Sequence, residues 1–162
     1  MMVGVFVTYN SVGRSLENRR YERNGNYAYI FQGFLRKEGR SSSDMDEKRR
    51  VLVEQWSRMG ERLAKDKIEP EDVDYLVLNC GKWPNLAMGL PKAFRSQNVF
   101  FVHCLCPQNQ AFEPPSKLRK AGYIYTACGG IETMERIYEG FMNTNRVVSY
   151  MTVEEAMRPK GV

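Results

Sequence analysis

Histidine is nearly missing from this chain: His103 is the only one among 162 residues. Any serine–histidine relay formed within the chain must therefore use it. The four cysteines, Cys80, Cys104, Cys106 and Cys128, contain no C-x-x-C pair. In a chain that is neither short nor cysteine-dense, this speaks against a disulfide scaffold and for buried free thiols. A zinc site drawn from all four would have Cys104-Leu105-Cys106 where a C-x-x-C knuckle belongs, so no metal is expected. No apolar run approaches the ~20 residues that cross a bilayer. The opening MMVGVFVTYN has no basic region ahead of its short apolar run, so no signal peptide and no membrane association is expected. Gly81-Lys82 lacks the upstream glycine of a P-loop, and neither Cys80 nor Cys128 has an arginine placed for a phosphatase-type anion loop. No motif calls for a cofactor, and none specifies compartment or oligomeric state.

What is present is enough apolar residue, 43% of the chain, to build one ordinary core. The net charge is +5. Much of the basic excess lies between Arg14 and Arg50, including Arg19, Arg20, Arg23, Arg36, Arg40, Lys48 and Arg49. Such clustering suits an anionic or nucleic-acid partner, or a solvated face with a loop.

Periodicity organises the rest. Residues 3–8 (VGVFVT) form an apolar, β-branched run and predict a first strand. The charged stretch 15–23 predicts a short helix, and Asn24-Gly25-Asn26 a turn. Residues 27–35 predict a strand weakened by Gly33, and 24–43 as a whole reads as a partly irregular insertion or loop. Leu52, Trp56, Met59 and Leu63 make one apolar stripe on a helix over 44–67, with Asp44 or Ser43 as its cap and Pro70 beyond its end. Strands are expected at 73–78, 99–105, 123–127 and 146–151, and helices at 85–96 and 131–141, with a short helix after Thr152. Alternating strands and helices imply a mainly parallel sheet covered on both faces: one three-layer α/β domain over 1–162, Rossmann-like or flavodoxin-like.

In such sheets ligands bind beyond the carboxyl ends of the strands. The polar residues expected there are Ser11, Asn79 with Gly81, His103 and the turn Cys128-Gly129-Gly130. Ser11 is a candidate nucleophile or a turn residue. Asn79 and the Gly81 N–H are candidate oxyanion donors, or close an Asx-turn. His103 is a candidate base or a packed core residue.

Asp74-x-x-x-x-Asn79-x-Gly81-x-Trp83 resembles the strand-and-turn signature of the PC-esterase-type SGNH proteins, the trichome-birefringence-like and NXPE-like sugar O-acyltransferases and esterases. Ser11-Val12-Gly13-Arg14 is similar to their nucleophile block, with Tyr9-Asn10 in place of Gly-Asp. The resemblance implies a serine hydrolase or acyltransferase with a small-molecule or glycan substrate, Ser11 as nucleophile, and Asn79 and Gly81 lining the oxyanion hole. The family's D-x-x-H block has no counterpart before Val162, so a divergent, incomplete or catalytically degenerate copy is implied, with His103 left as base. Cys128-Gly129-Gly130-Ile131-Glu132-Thr133 is similar to the phosphate loop of Lonely-Guy-type and other SLOG proteins. That resemblance implies an anion site from Gly129, Gly130, Thr133, Glu135 and Arg14. Glu132 stands where the motif has its third glycine, and Arg136 where it has its last glutamate. The remaining alternative is a non-catalytic α/β module binding anions or nucleic acid through its basic half.

Overall fold

The computed structural model describes residues 1–9, 17–34, 45–79, 90–94, 98–104, 122–126 and 130–147. A six-stranded mixed sheet forms the centre, in the order β2-β3-β1-β4-β5-β6. Its strands are β1 (Val3–Tyr9), β2 (Glu17–Arg23), β3 (Asn26–Phe34), β4 (Tyr75–Asn79), β5 (Val99–Cys104) and β6 (Gly122–Thr126). Among the described residues two α-helices accompany it, α1 (Met45–Lys65) and α2 (Gly130–Thr144). The pairs β1–β3, β1–β4, β4–β5 and β5–β6 are parallel, and β2–β3 is antiparallel.

The alternation of β1 assigns each side chain to one of two cores. Val3, Val5 and Val7 join Leu76, Leu78, Val99 and Phe101 against the α1 stripe of Leu52, Trp56, Met59 and Leu63. Phe6 joins Ala28, Val77 and Val102 against Met134, Phe141 and Met142 of α2. Strands apolar on both faces are the mark of a parallel sheet buried on both sides. Trp56 and Leu52 are fully buried, so truncating Trp56 to alanine would cost about 3–5 kcal/mol. α1 carries Asp46 and Glu47 in its first turn and Arg62 and Lys65 in its last, matching the helix dipole. It ends where Lys67 takes a left-handed φ of 60° and the Ile68 N–H returns to the Leu63 carbonyl at 3.0 Å.

The stretch expected as a short helix over 15–23 is instead strand β2. Asn24 and Gly25 both have positive φ, 54° and 77°, as a two-residue type I′ hairpin loop requires. The hairpin fixes β2 against β3, and tertiary partners hold it there. On one side Arg20 approaches Asp66 at 3.4 Å, and on the other Arg23 reaches Glu139 at 3.3 Å. Cross-strand pairing and these contacts override a local helix preference. The supposed irregular stretch 24–43 likewise holds β3, with 35–43 outside the described residues. Arg146 and Val147 lie in no strand, contrary to the start expected for a strand at 146–151; the rest of that span is outside the described residues. Of the helix expected over 85–96, a 3-10 turn at Lys92–Phe94 is described. Among the described residues no helix is long and apolar enough to cross a membrane.

The starts of the strands are tied down by side chains. The Val3 N–H donates to Asp74 Oδ2 at 2.8 Å, and the Met2 N–H donates to Asn26 Oδ1 at 3.1 Å. Asn26 Nδ2 donates in turn to Oδ1 of Asn145, the left-handed residue that follows α2. Asp74 therefore works at the opposite end of β4 from Asn79.

Candidate functional site

The strand order reverses at β1: β3 lies on one side and β4 on the other. Crevices at the carboxyl ends of such neighbouring strands are where open α/β sheets take ligands. The register runs through this point as one row across the whole sheet. Glu17 pairs with Gln32, Gln32 with Thr8, Thr8 with Asn79, Asn79 with Val102, and Val102 with Ile124. Register partners share a face, and Val102 packs in the α2-side core, so Gln32, Thr8 and Asn79 face α2 as well. The next row inward on this face, Ile30, Phe6, Val77 and Phe100, is apolar. On the opposite face the row Phe31, Val7, Leu78 and Phe101 is apolar too. Among the described residues, buried polar side chains thus enter the sheet at its carboxyl ends on the α2 side, at Thr8 and Asn79, and at the start of β3, at Asn26.

Thr8 and Asn79 are buried, at 8% and 9% exposure, in a core otherwise almost wholly apolar. A buried amide or hydroxyl is costly unless hydrogen-bonded, and among the described residues no buried side-chain N or O lacks a partner. Immediately past Gln32 the β1–β3 register slips between Thr8 and Tyr9, and Gly33 takes a φ of 92°. A bulge of this kind bends the strand and turns the following residues; only glycine adopts that backbone without strain.

A groove of about 60 Å³ opens beside the row. Thr8 and Gln32 line it together with Phe6, Ile30 and Met134, and Arg19 of β2 and Glu135 of α2 stand at its edge. The Tyr21 and Tyr138 rings also line it and stack with centroids 5.5 Å apart. Burial pushes the Tyr138 phenol above its ordinary value, and the charge of Glu139 adds to the effect.

The sequence-predicted residues are distributed as follows. Asn79 is the last residue of β4, beside Thr8. His103 lies in β5 opposite Tyr125, one residue beyond the partner of Asn79; its side chain is outside the described part. Gly130 is the first residue of α2, Thr133 lies in its first turns, and Glu135 is exposed at the groove. Ser11, Arg14, Gly81 and Gly129 are outside the described residues, as are Cys80, Cys106 and Cys128. Among the described residues no group of three or more His, Cys, Asp or Glu gathers as a metal site. Thr8, Arg19, Gln32 and Tyr138 were not anticipated. Gln32 had a signal, as the one amide inside the run YIFQGF. The others become site residues only through pairing and packing.

The basic cluster is partly consumed within the fold. Asp66 Oδ2 accepts from the Tyr29 hydroxyl at 2.7 Å and from Arg62 at 2.9 Å, with Arg20 at 3.4 Å. The bond from Tyr29 holds the Asp66 carboxyl below its usual range, with Arg62 adding to it. Burial, then the hydrogen bond to Asp66, pushes the Tyr29 phenol from 10.0 to about 12. Arg23 is held by Glu139 and by Asn143.

No protein-family profile matches this chain, and no match was found among curated proteins or solved structures.

Proposed function

We propose that this chain is a three-layer α/β domain of flavodoxin-like strand order that carries out acyl-group chemistry of the SGNH type at the carboxyl ends of β1 and β4. One observation carries the reading: Asn79, buried at the end of β4, pairs in register with Thr8 of β1, three residues ahead of Ser11, where the strand order reverses. Leaving β2 aside, the parallel strands run β3-β1-β4-β5-β6, which is the flavodoxin-like order.

In this mechanism the Ser11 Oγ attacks the ester carbonyl while its proton passes to His103, the one histidine of the sequence. The oxyanion that forms takes hydrogen bonds from the Asn79 amide and the Gly81 N–H. The His103 proton then leaves with the alcohol, and water or a second hydroxyl resolves the acyl-serine. Burial suits Asn79 to this role, because a donor held in an apolar setting needs little reorganisation when charge develops.

The phosphate-loop alternative has less support. Glu132, at the position of the motif's third glycine, puts a negative charge where a phosphate would bind. The basic-surface alternative is weakened because Arg20 and Arg23 have acidic partners.

The test is labelling of the full chain with a fluorophosphonate probe, with intact-mass and peptide mapping, alongside hydrolysis of p-nitrophenyl acetate. Covalent labelling at Ser11, lost in Ser11→Ala together with ester hydrolysis, is the expected result. Labelling that is absent, or that persists undiminished in Ser11→Ala, refutes the acyl mechanism.

A further inference from the structure

We propose that the groove between the β2–β3–β1 face and α2 binds a free α-amino acid with a small aliphatic side chain. The proposal goes beyond the acyl chemistry and does not depend on it. Its basis is a pair of opposite charges that the fold brings to one groove, with no ion pair between them. Arg19 comes from β2 and Glu135 from α2, both are exposed, and both line the groove. Ion pairs among the described residues engage Arg20, Arg23, Arg58 and Arg62, whereas neither Arg19 nor Glu135 forms one. A guanidinium takes a carboxylate through parallel N–H bonds, and a carboxylate takes an ammonium. A zwitterion satisfies both with no net charge brought in.

Phe6, Ile30 and Met134 make part of the lining apolar. The Thr8 hydroxyl and Gln32 amide supply further donors and acceptors on the carboxyl-end side. Such a lining, apolar with a few convergent polar groups, is the usual make-up of a small-molecule site. Size then selects the side chain. The groove offers about 60 Å³, well below the ~150 Å³ of a cavity that holds benzene. A valine-sized side chain suits this limit better than an aromatic ring.

Isothermal titration of the full chain with L-valine tests the proposal, with N-acetyl-L-valine, L-valinamide and L-phenylalanine as comparison probes. The expected result is saturable one-to-one binding of valine, weakened about tenfold or more by loss of either charge on the ligand. Phenylalanine should bind more weakly than valine. Arg19→Gln and Glu135→Gln should each weaken valine binding about tenfold or more, with unchanged circular dichroism and melting temperature. Both side chains are exposed, so these substitutions leave the core intact. The proposal is overturned by absence of saturable valine binding at about 10 mM ligand. It is equally overturned if both variants bind valine as the parent does, or if N-acetyl-L-valine binds as well as valine.

Discussion

Gly4 offers the sharpest check on how α2 is seated over the sheet. It sits in β1 between Ala28 and Tyr75, on the face that α2 covers. A methyl group at this position would lie 2.9 Å from Phe6 Cε2, 3.0 Å from Phe141 Cε1 and 3.2 Å from Phe141 Cδ1. Carbon atoms prefer ~3.5–4.0 Å, so all three contacts are repulsive. Both rings are buried, at 1% and 0% exposure, and so have little room to retreat. Two effects oppose each other in Gly4→Ala. Removing a glycine from a strand interior ordinarily stabilises by about 0.5–1 kcal/mol. Overpacking a close-fitted core costs about 1–3 kcal/mol. The packing cost should win, leaving a net loss of about 0.5–2 kcal/mol. Urea unfolding followed by the fluorescence of buried Trp56 measures it. In a Phe141→Leu background the two contacts to that ring are gone and the one to Phe6 remains, so the same substitution should cost less, a coupling of about 1 kcal/mol or more. Gly4→Ala as stable as the parent, or equally harmful in both backgrounds, would refute the packing described for this face. The outcome bears on the site, because β1 from Gly4 to Thr8 and α2 together form the walls of the groove.

Three further expectations concern the site and its supports. If Asn79 serves the developing oxyanion, Asn79→Ala should lower kcat for ester hydrolysis about 10²–10³-fold with little change in KM; loss confined to KM would remove it from that role. The Asp66 carboxyl is depressed on folding, so its contribution to stability is present above the unfolded value of about 3.9 and is lost as pH falls through the lower folded value. The Tyr29 phenol is raised, so its contribution is full below pH 10.0 and is lost as pH rises toward about 12. Urea midpoints across pH should fall at both ends, and Asp66→Asn should flatten the acid limb. Lys67, left-handed at φ 60°, should gain about 0.5–1 kcal/mol on replacement by glycine, measured as a rise in the unfolding midpoint.

Local sequence determined much of the secondary structure. The β-branched run at Val3–Tyr9, the 3.6-residue stripe of α1, the apolar runs of β4 and β5, and the Asn24-Gly25 turn each carry their conformation in nearby residues, because side-chain entropy, steric limits and short hydrogen bonds act over a few positions. Asn79 was legible as the polar end of a buried strand for the same reason. The conformation of Glu17–Arg23 was not, because its charged residues favour a helix in isolation and become a strand only through β3, Asp66 and Glu139. Nor was the site as a whole. Thr8, Gln32 and Asn79 become neighbours through strand order and register, and Arg19 meets the groove only because α2 packs over β1 and β3. Backbone ladders pair any residue with any other. Which strands pair, and in which register, is decided by the burial of whole faces against the helices, and that is a property of the folded chain.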